Sequence, residues 1–278
     1  MKANLHTHTT RCGHAVGADE DYVRAALTQH FDVLGFSDHV PWPYTSGYTH
    51  ESVRMTVDRL PEYVSSVRAL AERYRGQIRV LAGFECEYFP AYMGWLAETA
   101  EAYKLDYLIL GNHYDESDET GTYFGSISTA EQLSRYVKQT VKGLETGLFT
   151  YLAHPDLFMH RWPLGFGAEC RAAARDLCDA CLALNVPMEY NTHMRYAGKG
   201  LPGAGYPCRP FFEIAAAAGV PVVIGLDAHD PAELSNPVQW DLAEREIRET
   251  GAVRPDCAAL RSFGGGEPEE DGERGTGK

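Results

Sequence analysis

Residues 220–229 read "VPVVIGLDAH", a run of β-branched and apolar side chains that ends on an aspartate and a histidine. Val, Ile and Leu in a short run of this kind favour a strand. The layout recurs six more times, as "ANLHTH" at 3–8, "DVLGFSDH" at 32–39, "IRVLAGFECE" at 78–87, "DYLILGNHY" at 106–114, "TYLAHPD" at 150–156 and "VPMEYNTH" at 186–193. Apolar residues at helical spacing fill segments between them, at 19–30, 56–76, 92–104, 128–147, 168–185 and 208–219, two of which stop at Gly76 and Gly219. Seven strands alternating with helices predict an α/β fold whose parallel sheet is closed, or nearly closed, into a barrel.

A chain of 278 residues suits one such barrel, and residues 1–263 are expected to form a single domain. The remainder, 264–278, reads "GGGEPEEDGERGTGK"; without apolar residues it cannot bury a core and is expected to be disordered. No apolar run approaches the roughly 20 residues of a membrane span. The N-terminus lacks the basic-then-apolar layout of a secretory signal, so a soluble cytoplasmic protein is expected, as a monomer or small homo-oligomer. Seven cysteines (Cys12, Cys86, Cys170, Cys178, Cys181, Cys208, Cys257) have no regular spacing and read as reduced thiols rather than a disulfide framework. Cys178 and Cys181 form a CxxC inside an Ala/Leu-rich helix pattern, where two small core residues on one face are expected. The net charge of −14 speaks against nucleic acid and anionic membranes as partners.

The chemistry gathers at the strand ends. His6 and His8, Asp38 and His39, Glu85, His113, His154 and Asp156, Glu189 and His193, and Asp227 and His229 close the seven runs in turn, and His14 follows the first. In a parallel barrel all these ends lie on one face, where active sites are built. His6, His8, His14, His39, His113, His154 and His229, with Glu85 and Asp227, are too many ligands for one ion, since a catalytic zinc takes about three. Two or three metals would use them, and period-2 geometry puts His6 with His8, and Asp227 with His229, on one side of a strand. His30 and His50 read as structural, whereas His160 and His193 lie just past strand ends within reach of a substrate.

The ordered set "HTHT…CGHA", "GFSDH", "GFE", "LGNH", "AHPD" and "DAH", spread over about residues 3–235, resembles the PHP (polymerase and histidinol phosphatase) superfamily, and within it the monofunctional histidinol-phosphate phosphatases. The resemblance implies a distorted (β/α)7, TIM-like barrel with a trinuclear centre of Zn, Fe or Mn at the C-terminal face of the strands. It places His6, His8, Glu85 and Asp227 on one metal, Glu85, His113 and His154 on a second, and His14, His39 and His229 on a third.

Clustered metals suit hydrolysis of a phosphoester by a bridging hydroxide, with Asp156 or His193 as proton donor to the leaving group. Arg161, Arg195 and Lys199 are candidate phosphate contacts, and in the family an arginine follows the "E-x-N-T" strand as Arg195 does here. A histidinol-phosphate phosphomonoesterase of histidine biosynthesis is the leading expectation. A PHP phosphoesterase for a nucleotide, a sugar phosphate or a cyclic phosphodiester is the alternative, because Trp42, Tyr44, Tyr48 and Trp162 could stack on an imidazole or a nucleobase. A non-catalytic, metal-stabilised module is the third reading.

Overall fold

Each of the seven apolar runs contains a strand: β1 Ala3–Asn4, β2 Val33–His39, β3 Arg79–Cys86, β4 Tyr107–Leu110, β5 Tyr151–Leu152, β6 Met188–Asn191 and β7 Val222–Gly225. The computed structural model describes residues 1–196, 205–255 and 260; the side chains of Arg195 and Tyr196, and the segment 264–278 expected to be a tail, lie outside the described residues. Neighbouring strands pair in parallel in the order β1 to β7. The two ends of the sheet meet in an isolated parallel bridge between Thr7 and Ala228. There the His8 amide donates to the Ala228 carbonyl at 2.9 Å, and the Ala228 amide to the His6 carbonyl at 3.1 Å. The result is a nearly closed α/β barrel.

Helices α1 Asp19–Thr28, α2 Leu60–Arg73, α3 Met93–Ala102, α4 Ala130–Glu145, α5 Ala168–Leu184, the one-turn α6 His193–Tyr196 and α7 Arg209–Ala218 separate the strands. Cys178 and Cys181 are both buried in α5 within the helix–sheet core.

Several strands are shorter than the apolar runs that announce them. β1 and β5 keep two residues each, and β7 stops at Gly225 before its acidic end. The reason is geometric, because the strand ends must turn their side chains toward a common centre. Asp227 and His154 adopt left-handed backbone angles, φ 50° and φ 26°, which non-glycine residues seldom take and which cost on the order of 1–3 kcal/mol each. Strand alternation therefore serves His6 and His8, on either side of the Thr7 bridge, but does not describe Asp227.

Two helices were not expected: α8 Pro231–Ser235 and α9 Pro237–Thr250. Each carries Pro at its start, and side chains of Asp230 and Asn236 cap the amides of Ala232 and Val238. Helix α9 buries Trp240, Ala243 and Ile247, a helical stripe present in the sequence. Trp240 meets Phe31 edge-on at 5.0 Å and so joins α9 to the helix–sheet core.

Inside the barrel the inward residues change character along the axis. A lower layer of Leu5, Val33, Ile109, Tyr151 and Val223 is apolar and buried. Within this cluster Gly35 and Gly83 leave room for Tyr107, since a Cβ on either would lie within 2.7 Å of the tyrosine ring or hydroxyl. The Tyr107 hydroxyl donates to the Leu5 carbonyl at 2.8 Å and so crosses the barrel as a plug. The upper layer holds the carboxylates and imidazoles.

Truncating Trp240 to alanine is expected to destabilise the protein by about 3–5 kcal/mol, the usual cost for a buried tryptophan. A urea unfolding midpoint within experimental error of the parent would contradict the packing role assigned to α9.

Candidate metal centre

Glu85, at the end of β3, sits at the middle of the upper layer and is 1% exposed. Its Oε2 lies 3.4 Å from His6 Nε2, 3.4 Å from His8 Nε2 and 3.0 Å from His39 Nδ1. Its Oε1 lies 2.6 Å from His154 Nε2 and 3.4 Å from His113 Nε2. One carboxylate thus stands between two sets of imidazoles. Gly111 on the next strand makes this possible, because a Cβ there would come within 2.1 Å of Glu85 Oε1.

Asp227 faces the same two first-strand histidines, with Oδ1 at 3.1 Å from His8 Nε2 and 3.5 Å from His6 Nε2. At the mouth, His14 and His229 bring their Nε2 atoms to 2.9 Å of each other. All nine residues given as metal ligands by the family resemblance are therefore gathered in one place. Subsets with ligand atoms within 4.8 Å of one another include His6, His8 and Glu85; His6, His154 and Asp227; and His14, His39 and His229.

The donor set fits cations on its own chemistry. His6 Nε2, His8 Nε2 and Asp227 Oδ1 are buried and find no hydrogen-bond partner among the described residues. Leaving such atoms bare in a protein interior costs about 1–3 kcal/mol each, which an ion would relieve. Imidazole with carboxylate suits Zn, Fe and Mn. Burial opposes every charge here, yet the surrounding histidines hold Glu85 and Asp227 well below the ordinary carboxylate range. Burial likewise works against His8, but the close approach of Asp227 and Asp38, with Glu85 nearby, raises it to about 9. Desolvation wins at His39, pushing it down to about 3 and keeping it in the neutral form that binds metal.

Four of the remaining ring nitrogens are anchored, whereas Nδ1 of His8 and of His154 finds no hydrogen-bond partner among the described residues. His6 Nδ1 pairs with Glu189 Oε1 at 2.8 Å, His113 Nδ1 with Glu87 Oε1 at 3.2 Å, and His14 Nδ1 donates to the Cys12 carbonyl at 2.9 Å. His229 Nδ1 donates to the Asp227 carbonyl at 2.9 Å. Glu87 is itself held by Arg54 Nη2 at 2.9 Å and Trp42 Nε1 at 2.8 Å, and Arg54 Nε reaches Asp118 Oδ2 at 2.8 Å. Loop 41–56 is thereby tied to loop 114–123. Sequence reading placed Glu189 and Asp38 at strand ends without giving them a role, and missed Glu87, Arg54 and Asp118. The period-2 pairs Glu85/Glu87 and Glu189/Asn191 were the available signal.

Other expected residues fall as follows. His193 is half-buried, its Nδ1 donating to the Asp227 carbonyl at 3.0 Å and its ring 4.8 Å from that of His229. Asp156 is fully buried, and its Oδ2 accepts from the Cys208 amide, so it ties that segment to the end of β5. Burial pushes its carboxyl up to about 7. Arg161 is exposed beyond the turn after β5, whereas the Arg195 side chain and Lys199 lie outside the described residues. Trp42 and Trp162, expected as stacking surfaces, are buried at 4% and 6% exposure, Trp42 packing on Phe89. The rings that flank the histidines are instead Tyr206, 5.9 Å from His154, and Tyr123, 6.4 Å from His160.

Fold and site together define an α/β barrel with groups of His, Asp and Glu that could hold metal ions at the C-terminal ends of its strands. The chain belongs to the PHP domain family, whose model matches residues 4–193, more than half of the sequence. A Deinococcus radiodurans protein named "Probable histidinol-phosphatase" is 29% identical over 266 residues, covering 88% of this chain and 92% of that one. The Bacillus subtilis histidinol-phosphatase is 27% identical over 127 residues, 43% of this chain and 47% of its own length. A histidinol phosphate phosphatase from Lactococcus lactis, solved with zinc, L-histidinol and phosphate, shares the fold with a TM-score of 0.71 at 17% identity, over 95% of this chain and 97% of that one.

Replacing His6 or Asp227 by alanine is expected to lower the metal content of the purified protein, while His30→Ala leaves it unchanged; elemental analysis of the three reads this directly. Asp156 gives a second expectation. Its folded value of about 7 exceeds the unfolded value of about 4, so the folded state binds the extra proton between those limits. Stability of the metal-stripped protein should therefore fall as pH rises through that window, and Asp156→Asn should flatten the fall. Parallel urea midpoints of the two proteins from pH 4.5 to 8 would refute the assignment.

Proposed function

We propose that this chain is a metal-dependent phosphomonoesterase that hydrolyses L-histidinol phosphate to L-histidinol and phosphate, the dephosphorylation step of histidine biosynthesis, in the cytoplasm. The observation that carries the hydrolytic reading is the Glu85 carboxylate, with one oxygen toward His6, His8 and His39 and the other toward His113 and His154. A carboxylate shared in this way suits two adjacent cations, which is the arrangement phosphoester hydrolysis uses. The names of the Deinococcus and Bacillus relatives, and the L-histidinol and phosphate in the Lactococcus structure, support the substrate.

Two or three Zn, Fe or Mn ions would be held in the pattern that the family resemblance implies: His6, His8, Glu85 and Asp227 at the first position, Glu85, His113 and His154 at the second, and His14, His39 and His229 at the third. When bound, they supply hydroxide near neutral pH and neutralise charge on the phosphoryl oxygens. The protein's own groups do the rest. Arg195, Arg161 and Lys199 offset the charge of a dianion that a chain of net charge −14 would otherwise repel. His193 is the better placed of the two proton donors, because its ring is half-buried at the mouth whereas Asp156 is sealed behind Cys208. With Nδ1 committed to the Asp227 carbonyl, its Nε2 hands a proton to the departing alkoxide from the imidazolium form, leaving a neutral ring protonated at Nδ1.

Steady-state kinetics with added Mn, Zn or Fe should give the highest kcat/KM for histidinol phosphate among a panel that includes nucleotides, sugar phosphates and a cyclic phosphodiester. Preference for another member would overturn the substrate, and no turnover of any would overturn the enzyme. Chelation should abolish activity and re-addition of metal restore it. Arg195→Ala should raise KM with metal content unchanged.

A further inference from the structure

Strand β6 contributes none of the nine proposed ligands, yet it ends in two buried polar residues, Glu189 and Asn191, that face the metal layer. Resting on the reading of His6 as a ligand, we propose that Glu189 is a positioning residue that fixes the tautomer of His6, so that Nε2 is the bare nitrogen turned toward the metal. Glu189 Oε1 accepts from His6 Nδ1 at 2.8 Å, while His6 Nε2 has no partner among the described residues. A ring that donates through Nδ1 presents an unprotonated Nε2, and a carboxylate behind a ligating imidazole raises its basicity as well.

The other oxygen is equally committed. Oε2 accepts from the His154 amide at 3.0 Å and from Asn191 Nδ2 at 2.9 Å, and that Nδ2 also reaches Asp227 Oδ2 at 3.2 Å. One side chain therefore contacts His6 directly, His154 through its backbone and Asp227 through Asn191. Gly225 on β7 keeps the space, since a Cβ there would lie 1.7 Å from Glu189 Oε1.

This donor arrangement makes an isosteric substitution informative. In Glu189→Gln the amide has one oxygen and one NH2 group. The Oε2 position faces two N–H donors, so the oxygen belongs there and the NH2 is left against His6 Nδ1. The conflict is relieved only if His6 moves its proton to Nε2, which removes the lone pair that would bind metal. Shape and volume barely change.

The test uses the full chain labelled with 15N-histidine and loaded with zinc, with His6 signals identified by their loss in His6→Asn. In the parent, His6 is expected to keep a hydrogen-bonded proton on Nδ1 with Nε2 bound to zinc. Glu189→Gln is expected to lower zinc affinity about 10- to 100-fold in chelator competition, with near-UV circular dichroism retained. A proton on Nε2 of His6 in the parent, or parental affinity in a folded Glu189→Gln, overturns the proposal; if that variant does not fold, the parent spectrum decides. A parent that binds no zinc defeats the metal-ligand reading along with it, whereas a parent that binds and a variant that binds equally defeats this inference alone.

Discussion

The upper half of this barrel depends on the burial of the Glu85 carboxylate among five imidazoles. An ionised carboxylate moved into a protein interior carries a penalty of several kcal/mol that only close partners repay. Here the partners come from four separate stretches: His6 and His8, His39, His113, and His154, each within 3.4 Å of one of its oxygens. The charge and the barrel are therefore mutually dependent, since the strands must converge for the carboxylate to be tolerated, and the carboxylate defines where they converge.

Glycine does unusual service in this arrangement. A barrel interior is ordinarily packed by branched aliphatic residues, and so is the lower layer here. Within that layer Gly35 and Gly83 admit the Tyr107 ring, and higher up Gly111 and Gly225 admit the carboxyl groups of Glu85 and Glu189. Side chains on neighbouring strands thus occupy volume that these positions decline to fill. The polar layer rests on an apolar floor and is excluded from water at the sides, which strengthens its electrostatics.

Much of this was legible in the sequence because the signal was periodic. Apolar runs ending in His, Asp or Glu recur at each strand, and parallel topology sends those ends to one face. Less legible was anything that depends on contact between distant loops. Arg54 lies 64 positions from Asp118 and 33 from Glu87, and no local pattern announces that network. Glu189 and Asn191 were visible as a strand end, but their role rests on the side-by-side placement of β6 and β7, which spacing along one chain does not specify. Helix α9 differs in kind, since its Asn-Pro start and its buried stripe at Trp240, Ala243 and Ile247 were present and went unread. Trp42 illustrates the reverse error, an aromatic in a loop taken for a binding surface when its indole is spent on Glu87 and Phe89.

The bridge between Thr7 and Ala228 has a bearing on how the protein comes to be loaded. Asp227 and His229 lie more than two hundred residues after His6 and His8. The proposed first and third positions each draw on both ends of the chain. A chain in which β7 has not yet closed on β1 therefore cannot complete either one. Barrel closure and completion of these two proposed positions would then be a single event, and a chain truncated before the last strand would lack both.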